Sequence, residues 1–176
     1  KIAITQFESG YPYLVFIDNA NDANPLKQFG RIKMSNLCTE IFQVQTTSII
    51  KDYGEESEIG YDISCNLGSL NITNVMENKS IARAVRIAMD ALTTVSDISN
   101  IKNAPGVKKA NENLHSVGLG VMNLHGYLTK NEIAYESAEA LEFASTFFST
   151  LNYYSLLASQ EIAKEKNDEY KNLVEK

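Results

Sequence analysis

Ser35-Asn36-Leu37-Cys38-Thr39-Glu40 places a thiol between a carboxamide and a carboxylate at strict two-residue spacing. In an extended segment successive side chains point to opposite faces, so Asn36, Cys38 and Glu40 share one face while Leu37, Thr39 and Ile41 occupy the other. On a helix Cys38 lies roughly 200° around from Asn36, and the three groups cannot converge. Joint chemistry by these residues therefore requires a strand or a loop.

Upstream, Tyr13-Leu14-Val15-Phe16-Ile17 is an apolar, β-branched and aromatic run that predicts a buried strand, closed by a long Asn/Asp turn from Asp18 to Pro25. Gly30 to Ser35 leads into the Cys38 stretch, and Glu40 to Thr47 continues as an extended segment. Lys51 to Ser57 reads as a charged surface loop. Beyond it the alternation of Ile63, Cys65 and Leu67 predicts a strand with Cys65 facing inward, and Leu70 and Ile72 a short continuation after a break at Gly68.

Helical spacing takes over afterwards. Asn78 or Ser80 caps a helix whose apolar stripe is Ile81, Val85, Ala88, Leu92 and Val95, ending near Asp97. Pro105-Gly106 reads as a turn, and Asn111 to Tyr127 as a helix followed by a tight turn. Ser137 caps a final helix with the stripe Leu141, Ala144, Phe148, Leu151, Ser155, Ala158 and Ile162; at 1.5 Å per residue it reaches roughly 40 Å by Lys164. The charged tail beyond reads as a solvated helix end. Few strands, long helices and long connections predict an α/β layout in which helices cover a mainly parallel sheet. Three or so strands do not close a barrel, and such a sheet leaves unpaired edges.

The chain has 176 residues, 44% of them hydrophobic and 22% charged, which suits one domain or part of one. A formal charge of −6, with no basic cluster longer than Lys108-Lys109, argues against a polynucleotide partner while leaving a small nucleotide open. No apolar run approaches the ~20 residues of a membrane span, and Lys1-Ile2-Ala3-Ile4 has no signal-peptide core, so a cytoplasmic protein is expected. There Cys38 and Cys65 are reactive or buried thiols rather than a structural disulfide. His115 and His125 lack acidic or thiol neighbours at ligand spacing and read as packing residues, with no metal site expected. Gly118-Leu119-Gly120 has Asn123 where a dinucleotide fingerprint needs a third glycine, so close backbone packing explains these glycines. A chain beginning with Lys rather than Met suggests a piece of something longer.

Several segments together resemble one family, the large catalytic subunit of aerobic (class I, especially class Ib) ribonucleoside-diphosphate reductases. They are Ser9-Gly-Tyr-Pro-Tyr-Leu-Val-Phe-Ile-Asp18 with Asn21 and Pro25, Ser35-Asn-Leu-Cys-Thr-Glu40, Asp62-Ile-Ser-Cys-Asn-Leu-Gly-Ser-Leu-Asn71, Val95-Ser-Asp97 and Gly118-Leu-Gly-Val-Met-Asn-Leu-His-Gly-Tyr-Leu128. The likeness runs from about Phe7 to Tyr170. The Asn-x-Cys-x-Glu unit is weak alone and strong when followed by Ser-Cys-Asn-Leu-Gly-Ser-Leu-Asn.

The resemblance implies an α/β fold, part of a ten-stranded α/β barrel with Cys38 on a central loop and long covering helices. Residues 1–176 would be a central, incomplete fragment of that catalytic barrel domain, inactive alone. Cys38 would carry the thiyl radical that takes the ribose 3′ hydrogen. Glu40 would take the 3′-hydroxyl proton, Asn36 would bind substrate hydroxyls with Glu40, and Cys65 would be one redox-active thiol of the pair that reduces the 2′ carbon. The partner thiol, the allosteric nucleotide sites, a later phosphate-binding loop, the C-terminal reductant cysteines and the radical-conducting tyrosine pair belong to segments outside this chain. Tyr153-Tyr154 is a decoy for that pair. The fragment itself would bind no cofactor. The intact enzyme would draw its radical from a partner subunit with a dinuclear iron or manganese centre, answer to nucleotide effectors, and be re-reduced by a thioredoxin- or glutaredoxin-like protein. The full-length subunit would be a homodimer acting on ribonucleoside diphosphates for deoxyribonucleotide and DNA synthesis.

The residues are chemically compatible with this. A hydrogen-abstracting cysteine must hold its hydrogen as a neutral thiol, whereas a nucleophilic one needs a depressed pKa from a cation or helix N-terminus. An ionised Glu40 two positions away pushes in the first direction, and no His, Lys or Arg lies between Ser35 and Ile50 to oppose it. Glu40 as a base needs hydrogen-bond reach of its target. Cys65 needs a disulfide partner whose Cα lies within ~4.4–6.8 Å. Two rivals stand beside this reading: a non-catalytic, barrel-derived interaction module, and a thiol-disulfide protein that pairs Cys38 with Cys65.

Overall fold

The structure, a computed structural model, describes residues 1–174, which fall into two compact units. One comprises Lys1–Cys65 and Ser99–Ser116; the other comprises Asn66–Ile98 and the chain from Val117 on.

The first unit is poor in regular structure. It holds α1 (Ile2–Ser9), α2 (Ile17–Asp22), a single 3-10 turn at Lys27–Phe29 and α5 (Pro105–Leu114). Gly10 ends α1 in the left-handed region at φ 77°, its N–H bonded to the carbonyl of Gln6. Among the described residues of this unit, the stretch from the 3-10 turn to Cys65 makes two isolated antiparallel bridges, Arg31 with Gln45 and Ile49 with Glu58. Buried backbone groups must nevertheless find partners. In this unit side-chain carboxamides supply many of them. Asn21 pairs with both the N–H and the carbonyl of Ile32 at 2.9 Å each. Gln45 accepts from the N–H groups of Lys33 and Met34 and donates to the Met34 carbonyl. Gln43 engages Ser64 in the same way. Ile32, Ile41, Val44 and Ala110 are its buried apolar residues. The carbonyl of Gly106, in the first turn of α5, accepts from the N–H of Asp62 at 3.1 Å. A Cβ at Gly106 would crowd the exposed Asp62 side chain, which would have to turn away.

The second unit is built on β1 (Asn66–Asn71) and β2 (Val117–Met122), parallel and in register from Asn66 opposite Val117 to Asn71 opposite Met122. Around them lie α3 (Ile72–Glu77), α4 (Ile81–Ile98), α6 (Leu124–Lys130) and α7 (Ala138–Val174). The core joins Ile72 and Val75 of α3, Val85 and Met89 of α4, and Phe147, Leu151, Ala158 and Ile162 of α7, with Leu70, Val117, Leu119 and Val121 of the sheet against it. Tyr127, Phe143 and Phe147 stack in series. Arg86 ties α4 to α7: its guanidinium reaches Asp90 at 3.0 Å, Glu161 at 2.9 Å and Glu165 at 2.7 Å. The other sheet face carries Leu67, Ser69, Gly118, Gly120 and Met122; Leu67 and Met122 stand exposed there. A Cβ at Gly118 would come within 2.6 Å of the end of the exposed Leu67 side chain, while one at Gly120 would meet only ordinary contacts, so the close backbone packing expected of these glycines is not what the strand shows.

The helix over residues 81–98, its Ser80 cap, the parallel pairing and the Ser137-capped final helix agree with the sequence reading. The final helix continues past Lys164 to Val174. Other expectations are corrected. Tyr13 to Phe16 is an exposed, irregular segment rather than a buried strand, because no strand among the described residues pairs with it, and α2 occupies the start of the expected turn. The segment from Glu40 to Thr47 is without strand structure except for its bridge at Gln45. Cys65 precedes β1 and is exposed; Ser64, at 3% exposure, is the inward residue. Gly68 lies inside β1 against Leu92 rather than breaking the strand. Ile72 opens α3, since Asn71 caps it by accepting from the N–H of Asn74. Pro105 starts α5 instead of a turn, because a missing N–H costs nothing in a first helical turn. Residues 117–122 form β2 rather than a helix. The buried stripes are also rotated: Met89 and Ser96 are buried in α4 in place of Ala88 and Val95, and Ala140 and Phe147 in α7 in place of Leu141 and Phe148.

Candidate functional site

Cys38 sits on a tight turn. The N–H of Thr39 donates to the carbonyl of Asn36 at 3.1 Å, closing the turn over Leu37 and Cys38. Thr39 follows at φ 64°, in the left-handed region where a β-branched residue is strained. Asn36 holds the turn from inside. Its Nδ2 donates to Glu40 Oε1 at 2.7 Å, and its Oδ1 accepts from the N–H of Ile41 at 3.0 Å. The sequence requirement of a strand or loop is met by a loop, so the shared face of an extended strand is replaced by a turn that curls Glu40 back onto Asn36. Leu37, Cys38 and Glu40 are exposed, and Asn36 is half-buried.

The turn is entered through Lys33 and Met34, fixed by the Gln45 carboxamide, and left through Ile41, which is buried. Cys65 lies in the same unit, one residue past the buried Ser64, whose Oγ donates to Asn111 Oδ1 at 3.1 Å. Its thiol is pushed upward from the ordinary cysteine value first by partial desolvation, then by the Glu40 carboxylate, with a last electrostatic contribution from Cys38. Cys38 and Cys65 are free thiols.

Tyr13 is a neighbour that sequence reasoning assigned to a strand. Its ring stacks on Tyr11 with centroids 5.1 Å apart. Its phenol is pushed up mainly by a hydrogen bond with Tyr11, then by charge on that residue and slight desolvation, with a final contribution from Cys38. Tyr13, Lys33, Ser35, Asn36 and Leu37 border an open groove of about 370 Å³ beside the turn. Gln43 and Gln45 were also passed over. Their signal was visible as two carboxamides set among Ile41, Phe42 and Val44, where uncharged polar side chains need buried partners.

Elsewhere, His115 caps α5 in the left-handed region and His125 meets Tyr135 edge-on. Among the described residues no group of three or more His, Cys, Asp or Glu side chains is placed to hold a metal, and no helix is long and apolar enough to cross a membrane. Tyr153 and Tyr154 meet edge-to-face within α7, in the other unit from Cys38.

Residues 1–176 match the family model described as ribonucleotide reductase, barrel domain. The ribonucleoside-diphosphate reductase subunit alpha of Bacillus subtilis (strain 168) is 55% identical over 170 residues, covering 97% of this chain and 24% of that protein. The subunit alpha of Mycoplasma pneumoniae is 46% identical over 166 residues, covering 94% of this chain and 23% of that one. Among solved structures, the class Id ribonucleotide reductase alpha subunit of Actinobacillus ureae superposes with a TM-score of 0.64 at 28% identity, over 93% of this chain and 30% of its own. The chain thus spans about a quarter of the length of the curated relatives it matches.

Proposed function

The chain belongs to the ribonucleotide reductase barrel-domain family, and from that premise we propose that it is the catalytic-turn segment of a cytoplasmic ribonucleoside-diphosphate reductase alpha subunit. The observation that carries the reading is the hydrogen bond from Asn36 to Glu40 that folds the chain around Cys38, within the compact unit that also holds Cys65.

Each group has a distinct task in the radical reduction of a ribonucleoside diphosphate. Cys38, once oxidised to a thiyl radical, takes the hydrogen atom from the ribose 3′ carbon. Glu40 accepts the proton of the 3′ hydroxyl, and the Asn36 amide keeps that carboxylate aimed across the turn while its remaining capacity meets substrate hydroxyls. Cys65, held as a neutral thiol by its surroundings, supplies one hydrogen equivalent to the 2′ carbon as the 2′ hydroxyl leaves as water. A second cysteine from another part of the subunit supplies the proton that leaves with that hydroxyl and closes the disulfide with Cys65, after which Cys38 and Glu40 return the hydrogen atom and the proton to the 3′ position. The radical comes from a subunit with a dinuclear iron or manganese centre, and a thioredoxin- or glutaredoxin-like protein restores the dithiol. Nucleotide effectors and the homodimer contact belong to the rest of the subunit. The exposed run Tyr13 to Phe16 and the uncovered face of β1 and β2 are surfaces for that remainder to cover.

The test places Cys38→Ser in a complete alpha subunit carrying this segment. Substrate binding unchanged with turnover abolished is the expected result; turnover retained would support a non-catalytic module. The presence of both free thiols in one unit also suits a simple dithiol protein, and a reversible 38–65 disulfide in redox titration, together with retained turnover, would favour that instead.

A further inference from the structure

We propose that Gln43 is a positioning residue that sets the Cys65 thiol against the Cys38 turn. It lies three residues beyond Glu40. Its Oε1 accepts from the N–H of Ser64 at 3.0 Å and its Nε2 donates to the carbonyl of Ser64 at 2.7 Å. One carboxamide thus meets both backbone groups of one residue, as a neighbouring strand would, at a place where no strand pairs. Ser64 is 3% exposed, and its hydroxyl is bonded to Asn111, itself 2% exposed, on α5. The residue next to Cys65 is therefore fixed through backbone and side chain together.

Two positions on, Gln45 makes the matching clasp on the segment that enters the turn, at 2.9 Å from the N–H groups of Lys33 and Met34 and 3.0 Å from the Met34 carbonyl. Between the two glutamines Val44, at 1% exposure, is buried. Gln43-Val44-Gln45 is thus a short anchored bar from which both cysteine-bearing segments hang. Its length determines where one sulfur lies relative to the other, and displacements near 1 Å at a reacting group are costly. The inference rests on the function proposed above, in which the two thiols act in sequence on adjacent carbons of one sugar.

The expected signature is a split between two steps in the complete alpha subunit assembled with its radical-generating subunit. Gln43→Ala should leave substrate KM and 3′-hydrogen exchange within about twofold of the parent. It should slow formation of the 2′-reduced product in a single turnover by about tenfold, the effect of losing one or two well-made hydrogen bonds at the site. Gln43→Glu adds a pH signature. The ionised carboxylate accepts from the Ser64 N–H but opposes the Ser64 carbonyl. The protonated acid accepts from the one and donates to the other, as glutamine does. Its single-turnover rate relative to the parent should therefore rise as pH falls. This readout applies even if the alanine variant folds poorly.

Cys65→Ser is the control. If it abolishes 2′ reduction while both Gln43 variants match the parent at every pH, the inference is overturned and the functional reading stands. An equal loss at the 3′ and 2′ steps in Gln43→Ala also overturns it, since Gln43 then supports the site without positioning Cys65. If Cys65→Ser turns over normally, the functional reading fails and takes the inference with it.

Discussion

Asn36→Ala is the perturbation with the clearest arithmetic. The side chain makes two bonds inside the turn, one to the Glu40 carboxylate at 2.7 Å and one from the Ile41 N–H at 3.0 Å. A hydrogen bond to a charged group contributes about 1.5–3 kcal/mol and a neutral one about 0.5–1.5 kcal/mol, and solvent access at Glu40 argues for the low ends, so about 2 kcal/mol holds the turn closed. Against this stands Thr39 at φ 64°, a left-handed conformation that costs roughly 1–2 kcal/mol for a residue with a Cβ. The two nearly balance. Removing Asn36 should let the turn open and reduce its productive population by about 10- to 30-fold, since each 1.4 kcal/mol is a factor of ten. The assay is kcat/KM for ribonucleoside diphosphate reduction in the complete subunit. A second substitution separates turn geometry from any direct contact of Asn36 with substrate. Thr39→Gly removes the left-handed penalty, so Asn36→Ala with Thr39→Gly should regain about fivefold over the single variant. A single variant within twofold of the parent, or a double variant no better than the single, would refute this account of the turn.

Further expectations concern both units. Glu40→Gln removes one of the charges that raise the Cys65 pKa, so the pH profile of Cys65 alkylation, followed in a Cys38→Ser background, should move to lower pH; an unmoved profile would contradict the electrostatic contact. In the parent, that raised pKa leaves less thiolate than an ordinary cysteine at any pH below it, and Cys65 should alkylate more slowly than a free thiol at pH 8. Ile72 is fully buried in the core of the second unit, and Ile72→Ala should cost about 2–5 kcal/mol in urea unfolding. Arg86→Met leaves Asp90, Glu161 and Glu165 beside one another; because these groups are partly solvated the loss should be about 1 kcal/mol and should shrink in ~1 M salt.

The elements that the sequence made legible are those whose signal is local. Ser137 and Ser80 announce helices because a hydroxyl ahead of an apolar stripe meets backbone N–H groups that need an acceptor. Helical period also located α4 and α7, although a rotation of the buried stripe by one position is beyond what spacing alone resolves, since neighbouring positions lie about 100° apart. What failed depended on distant partners. Tyr13 to Phe16 has strand composition, but a strand exists only where another pairs with it. β2 was hidden because the apolar, glycine-containing run from Asn111 to Tyr127 reads as a helix, whereas residues 117–122 pair with β1 and Gly118 lies beside Leu67. At the site, the requirement for a non-helical Cys38 followed from spacing, and the structure brings Asn36 and Glu40 together by a turn that no two-residue period describes. Gln43 and Gln45 were legible only in part: carboxamides among apolar residues signal a need for buried partners, but that they stand in for a missing strand shows only once the fold is known.

The most direct test of the central claim uses a ribonucleoside diphosphate deuterated at the 3′ carbon, given to a complete alpha subunit carrying this segment. The account predicts that 3′ deuteration slows the reaction in the parent, and that Cys38→Ser binds the labelled substrate but forms no deoxyribonucleotide. Deoxyribonucleotide formation by Cys38→Ser at the parental rate would contradict it.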